Sequence, residues 1–460
     1  MKNRLTILIA AALLLNACGK DFLELTPISE TNVPNFYTNA NDIAVAVNST
    51  YGALQKNDQY GSDFTALMEY RADNVVDNDP SQNAGIRYDI DRLKEIPTNS
   101  FLSGSWGSLY SGIYRCNEIL SRIDAITMDD KLKSRCKGEA SFVRALSYFN
   151  LVRLWGRVPL VLTPVTVQES KQTVRDEVAK VYAAIETDLQ FAAQNLPATY
   201  PAADAGRATS GAAKALLGKV YLTQKKFTPA KTVLKEVIDA KTYVLLPDVA
   251  NVFSVTNKNN QETIFAVKYR KGGVGEGHGV YFSNVGLAVV EPALLAAYAA
   301  QDKRRALVET APLAGSAQQV PRKYFDQISG GNDVGNDFIV LRYADVLLMY
   351  AEALNEEAYA ATGEAFAALN QVRGRAGISA LTAADLPGQA SFREAIYQER
   401  RLELALENHR WFDLIRTGTA VAALLKVGLT VPETRLLYPV PQSEVDVMNN
   451  PAGFPQNPGY

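Results

Sequence analysis

Leu217-Gly218-Lys219-Val220-Tyr221, followed by Ala230 and Leu234, is a packing pattern. Gly218 and Ala230 are small enough to let two helices approach closely, while Leu217, Tyr221 and Leu234 fill the seam between them. Apolar stripes at helical spacing recur elsewhere. Ile43, Val47, Tyr51 and Leu54 step by four, four and three from a cap near Asn41/Asp42. Trp106, Leu109, Ile113, Cys116, Leu120 and Ile123 mark a helix over about 104–124, and Leu132, Cys136, Ala140, Val143 and Ser147 one over about 130–153. The short polar turn Thr127-Met128-Asp129-Asp130 makes those two antiparallel. Similar pairs recur at about 104–153, 172–224 and 341–376.

The L-G-x-x-Y core with its later small residue is that of a tetratricopeptide repeat, with Leu234 in place of Phe. The expected fold is all-α dominated: a tetratricopeptide-like scaffold of helical pairs, curved around a concave side, with irregular, partly β loop insertions. Residues 57–101 and 243–340 break the helical rhythm. Both are rich in Asn, Asp, Gly and aromatics, and Thr263-Ile264-Phe265-Ala266-Val267-Lys268-Tyr269 reads as a strand. Loops on a rigid scaffold are where recognition is usually placed.

At the N-terminus, Lys2 and Arg4 precede a 13-residue apolar run, 5–17, that stops at Cys18. A spanning helix needs about 20 apolar residues, so the run reads as a secretion signal. Leu15-Asn16-Ala17-Cys18 matches a bacterial lipobox, which places a lipid on Cys18; a plain signal peptide that merely contains a cysteine is the alternative. The expected organisation is a signal peptide over 1–17, an extended lipid-anchored tether over 18–38 with Pro27 and Pro34 blocking helix, and a single body over 39–460.

Chemistry-bearing patterns are sparse. The 460 residues carry a formal net charge of −2, which gives no basic face for nucleic acid. The tract Gly272-Gly273-Val274-Gly275-Glu276-Gly277-His278-Gly279 follows a strand and opens onto no helix, so it reads as a hairpin loop and not a phosphate cradle. His278 and His409 are the two histidines, and His409 lies in a dense charged helix expected over Phe392 to Arg416. Within it Glu399, Glu403 and Glu407 stack at steps of four, and with Arg400, Arg401, Arg410 and Arg416 nearby they read as an ion-pair network ahead of an acid/base pair. Asp73, Asp77 and Asp79 form a weak calcium candidate lacking EF-hand spacing. Cys116 and Cys136 stand equally far from the turn between their helices, as a disulfide or as two buried thiols. No cofactor and no other metal site is expected.

These residues reach a known family. The chain resembles the SusD/RagB family almost end to end, through Cys18 followed by Asp21-Phe22-Leu23-Glu24-Leu25-Thr26-Pro27, the stretch from Trp106 to Asn117, Glu139-Ala140-Ser141-Phe142-Val143-Arg144-Ala145-Leu146, and Leu154-Trp155-Gly156-Arg157. Arg342-Tyr343-Ala344-Asp345, Glu399-Arg400-Arg401-Leu402-Glu403, Arg410-Trp411-Phe412-Asp413, Pro439-Val440-Pro441-Gln442 and Gln456-Asn457-Pro458-Gly459-Tyr460 follow in order. The resemblance implies a non-enzymatic nutrient-binding lipoprotein of the outer membrane, facing the cell exterior. It would capture an oligosaccharide, or alternatively a peptide, for a SusC-like TonB-dependent barrel transporter. A secreted glycan hydrolase and a periplasmic repeat scaffold are the readings from other classes. In glycan-binding members sugars rest on aromatic rings. Here Trp106, Trp155 and Trp411 all fall in the shared helical motifs, so their default role is core packing. The candidate ligand-binding residues are therefore Tyr60, Phe64, Tyr70, Tyr88, Tyr269, Tyr281 and Phe282, with Asp73, Asn74 and Arg87 for hydrogen bonds.

Overall fold

The computed structural model describes residues 36–61, 63–277, 288–312, 319–326 and 333–460. The expected signal peptide, most of the expected tether with Cys18, and His278, Tyr281 and Phe282 lie outside the described residues.

The apolar stripes become helices. That of Ile43 forms α1 (Ala40–Leu54), capped by Asn39 and not by Asn41/Asp42: the Asn39 side chain accepts from the backbone N–H groups of those two residues. A cap must precede the first helical residue for its side chain to reach donors two and three positions on. The first insertion carries a short helix, α2 (Ile86–Asp91). α3 (Ser100–Arg122) and α4 (Asp130–Trp155) flank the expected turn, and Asp129 caps α4 by accepting from Leu132 N–H. Next come α5 (Val178–Asn195), α6 (Ser210–Thr223) and α7 (Phe227–Asp239). After the second insertion follow α8 (Tyr343–Glu357), α9 (Glu364–Ala376), α10 (Gln389–Glu403), α11 (Arg410–Thr417) and α12 (Gln442–Met448).

Neighbours pack in series: α1 on α3, then α4, α5, α6, α7 and α8, with α9 and α10 on α8. The α6/α7 seam is the one the sequence describes. A Cβ on Gly218 would stand 2.5 Å from Leu234 Cδ2, so only glycine allows this approach. Trp106 and Trp155 meet edge-to-face at 5.3 Å, and Trp106, Trp155 and Trp411 are all buried. No helix among the described residues is long and apolar enough to cross a membrane.

Strands are few and short. β1 (Val75–Asp77) pairs antiparallel with β3 (Ala288–Val290), and β2 (Thr263–Val267) with β4 (Phe338–Arg342). A further antiparallel pair joins 310–312 to 319–321. The glycine tract closes as a hairpin through the Arg270–Glu276 bridge.

The charged helix expected over 392–416 is broken. α10 ends at Glu403, and Leu406 and Asn408 take left-handed conformations (φ 65° and 62°) before α11 begins. Tertiary partners hold the break: Asn408 N–H donates to Glu69 at 2.6 Å, and His409 Nδ1 lies 2.8 Å from Lys219 Nζ. The glutamates do enter an ion-pair network, but with cations from other elements. Arg342 on β4 donates to Glu407 (2.7 Å), Glu403 (2.5 Å) and Glu262 (3.0 Å), and Arg304 grips Glu399 (2.5 Å) and Glu403 (3.0 Å). Burial alone would raise the Glu403 carboxyl; Arg342, Arg375 and Arg304 overcome it and hold it far below the carboxylate range. Glu399, Glu403 and Glu407 are all buried with their carboxylates held by arginines, so they present no open acid/base pair to a substrate.

Cys116 and Cys136 are buried free thiols, not a disulfide. Equal distance from the turn does not bring them together. Cys116 shares surroundings with Arg144 and Asp188, whereas Cys136 shares them with Glu139, Arg135 and Arg207. Burial pushes both thiols up, to about 12 and about 11.

Candidate ligand-binding site

The pairing of β1 with β3 joins the two insertions. Val75 stands opposite Val290, Val76 opposite Val289 and Asp77 opposite Ala288, and Glu291 N–H donates to Asn74 O at 2.9 Å. Val75 and Val290 point into the core, while Val289 is 49% exposed, as strand alternation requires. The ribbon thus has one face on the body and one toward solvent.

Beneath it lies a charged footing. Arg410 holds Asp73 with two hydrogen bonds (2.6 and 2.9 Å), and Arg401 donates to Asn74 Oδ1 (3.0 Å) and Asp73 O (2.9 Å). Burial would raise the Asp73 carboxyl, but the two arginines outweigh it and keep it below its ordinary value. Arg87 faces Asp77 at 3.5 Å, both buried. Tyr70 is fully buried, its phenol pushed up chiefly by burial, with Arg87, Asp77 and Asp91 in its surroundings. This footing overturns the calcium candidate. Asp73 is turned to arginines, Asp77 to Arg87, and Asp79 caps its own turn by accepting from Ser81 N–H at 2.9 Å. Among the described residues no three metal-ligating side chains converge.

The sequence-predicted residues therefore separate. Tyr60, Phe64, Tyr70 and Tyr269 are core aromatics, at most 4% exposed: Tyr60 meets Phe64 edge-to-face at 5.4 Å and accepts from Asn150 at 2.8 Å. A ring closed to solvent has no face to offer a sugar, so these four are corrected from ligand contacts to support. Asp73, Asn74 and Arg87 are buried too, and their hydrogen-bonding capacity is turned inward. Tyr88 is the partly exposed one, and Arg92, one turn along from it, sets its guanidinium 5.2 Å from the Tyr88 ring centroid. Arg92 was missed from sequence; its i+4 spacing from Tyr88 was the available signal. Behind it Asp91 is 3% exposed, with Arg92 Nε 3.2 Å away. Burial, reinforced by Asp77 and Glu291, lifts its carboxyl to about 7 against the pull of Arg92. The surface combines a partly exposed ring, a cation 5.2 Å from its centroid and the exposed Val289 of β3. That arrangement suits binding of a flat, hydroxylated ligand.

Comparison with known proteins places this architecture. A sequence profile of the SusD family matches residues 317–460, and a second, described as starch-binding and associating with the outer membrane, matches 21–222. SusD-like protein P25 of Formosa agariphila is 27% identical over 93% of this chain and 94% of its own length; SusD-like protein P2 of the same organism is 27% identical over the whole of both. Among solved structures, a laminarin-binding SusD-like protein is 28% identical with a TM-score of 0.78, covering 92% of this chain and all of its own. A SusD homologue from Bacteroides thetaiotaomicron is 26% identical, with a TM-score of 0.81 over 94% of this chain and 99% of its own. With the two profiles, the helical-pair scaffold and the end-to-end likeness in agreement, this chain belongs to the SusD/RagB family.

Proposed function

We propose that this protein is a lipid-anchored outer-membrane protein, facing the cell exterior, that binds an oligosaccharide on the β1–β3 face and passes it to a SusC-like TonB-dependent barrel transporter. Cys18 carries the lipid, and Tyr88 with Arg92 forms the ligand surface, with Tyr281 and Phe282 of the second insertion kept as further candidate contacts. The end-to-end likeness to a laminarin-binding SusD-like protein, at 28% identity, carries this reading and favours a glucan over a peptide. The convergence of the two insertions supports the location.

Titration calorimetry of the purified protein against laminarin- and starch-derived oligosaccharides and mixed peptides tests it. The expected result is saturable binding of a glucan, weakened at least tenfold by Tyr88→Ala. Binding of peptides alone, or sugar release by the isolated protein, contradicts it.

A further inference from the structure

Between α3 and α12 lies a cleft of about 260 Å³ that shares no lining residue with the β1–β3 face. Trp106, Tyr110, Tyr114, Met448 and Phe454 supply its walls, and Glu444 is the single charged side chain among its lining residues. The rings stand at different angles. Trp106 and Tyr110 are 5.2 Å apart between centroids and inclined by 44°, and Trp106 and Phe454 are 6.4 Å apart and inclined by 72°. Tyr114 is 46% exposed, so the α3 wall reaches solvent.

Glu444 stands there without a counter-charge. Its place in the first turn of α12 suits an acid, but its carboxylate has no ion pair or hydrogen bond among the described residues. Burial alone acts on it and pushes its carboxyl above the ordinary value, with no cation in opposition. The Tyr110 phenol is pushed up first by burial and then by Tyr148 and Glu444, which sets the carboxylate near that ring. Four other polar groups of the lining are committed elsewhere: Tyr110 Oη donates to Pro159 O (2.8 Å), Asn117 Nδ2 to Val161 O (2.9 Å), Ser170 Oγ to Val167 O (2.9 Å) and Thr173 Oγ1 to Ser170 O (2.9 Å).

These facts select a ligand by charge. An anion would meet Glu444 and no cation in the lining. A sugar needs donors for several hydroxyls, and those four groups are turned to backbone carbonyls. A cation gains from both parts of the cleft, because the carboxylate supplies the counter-charge and the faces of aromatic rings attract positive charge. The volume falls below the roughly 300–1,000 Å³ of pockets for drug-sized ligands, which suits a small ion.

We propose that this cleft binds a small organic ammonium ion, with Glu444 opposite the positive charge and Trp106, Tyr110 and Tyr114 around its apolar body. The site is independent of the β1–β3 face and of the nutrient that face takes.

Titration calorimetry of the full chain with benzyltrimethylammonium, beside benzyl alcohol and phenylacetate as neutral and anionic counterparts, tests this. Saturable binding of the cation is expected, about tenfold or more tighter than that of either counterpart. Glu444→Gln keeps the shape and removes the charge; it should weaken the cation by about tenfold and leave benzyl alcohol unchanged. Tyr114→Ala, at an already exposed position, should weaken the cation by about threefold. No saturation by the cation, equal affinity for either counterpart, or a Glu444→Gln protein that binds the cation as tightly as wild type overturns the proposal.

Discussion

Asp91 shows how single residues trade stability for placement at this surface. Its carboxyl is buried, sits beside Arg92, and shares its surroundings with Asp77 and Glu291. Because its folded pKa, about 7, lies above the ordinary value, the folded state prefers the proton. Its contribution to stability is therefore present below the unfolded pKa of about 3.8 and lost as pH rises through about 7. Asp91→Asn removes that dependence while keeping an acceptor. Melting temperatures from pH 5 to pH 8 should show wild type falling relative to Asp91→Asn; parallel curves would contradict this. At the same scale the sequence was least informative about aromatics. Tyr60 is loop-like by its neighbours, yet its ring lies 5.4 Å from that of Phe338, far along the chain. No local pattern distinguishes a tyrosine held by so distant a partner from one facing water. Tyr88 differs because the short α2 leaves its ring partly exposed next to Arg92.

At the scale of elements, the helical stripes and the α6/α7 seam were legible because both rest on local spacing. Gly218 is the sharpest case: Gly218→Leu drives side-chain atoms into Leu234 and should cost about 1–3 kcal/mol in urea unfolding. Leu234→Ala in the same chain should recover part of that loss. A neutral single variant, or no recovery, would show that the seam is looser than the 2.5 Å approach implies. The break after α10 was not legible. The stretch from Leu404 to His409 holds no glycine or proline, and the left-handed residues Leu406 and Asn408 are tolerated because Glu69 and Lys219 meet the turn from elsewhere in the fold. The arginines adjacent in sequence were the visible partners for Glu403 and Glu407, but Arg342 and Arg304, distant in sequence, hold them. Removing one partner of such a buried pair leaves an uncompensated charge, so these pairs hold the chain where α10 ends and overrule the continuous helix.

At the scale of the whole molecule, the account depends on two insertions, separated by most of the helical scaffold in sequence, becoming one surface through three residue pairs of β1 and β3. The sequence marked both insertions as the places for recognition, but their union is a long-range pairing that no spacing announces. The resemblance supplied the family; the geometry buries four of the candidate aromatics and leaves the outer side of one ribbon and its supporting helix as the proposed ligand surface. Hydrogen exchange with and without saturating laminarihexaose tests that placement most directly. Slowed exchange confined to about 75–92 and 270–292, with residues 106–117 and the α6/α7 seam unchanged, is the predicted footprint. Protection centred on the helical stack and absent from β1 and β3 would contradict the account.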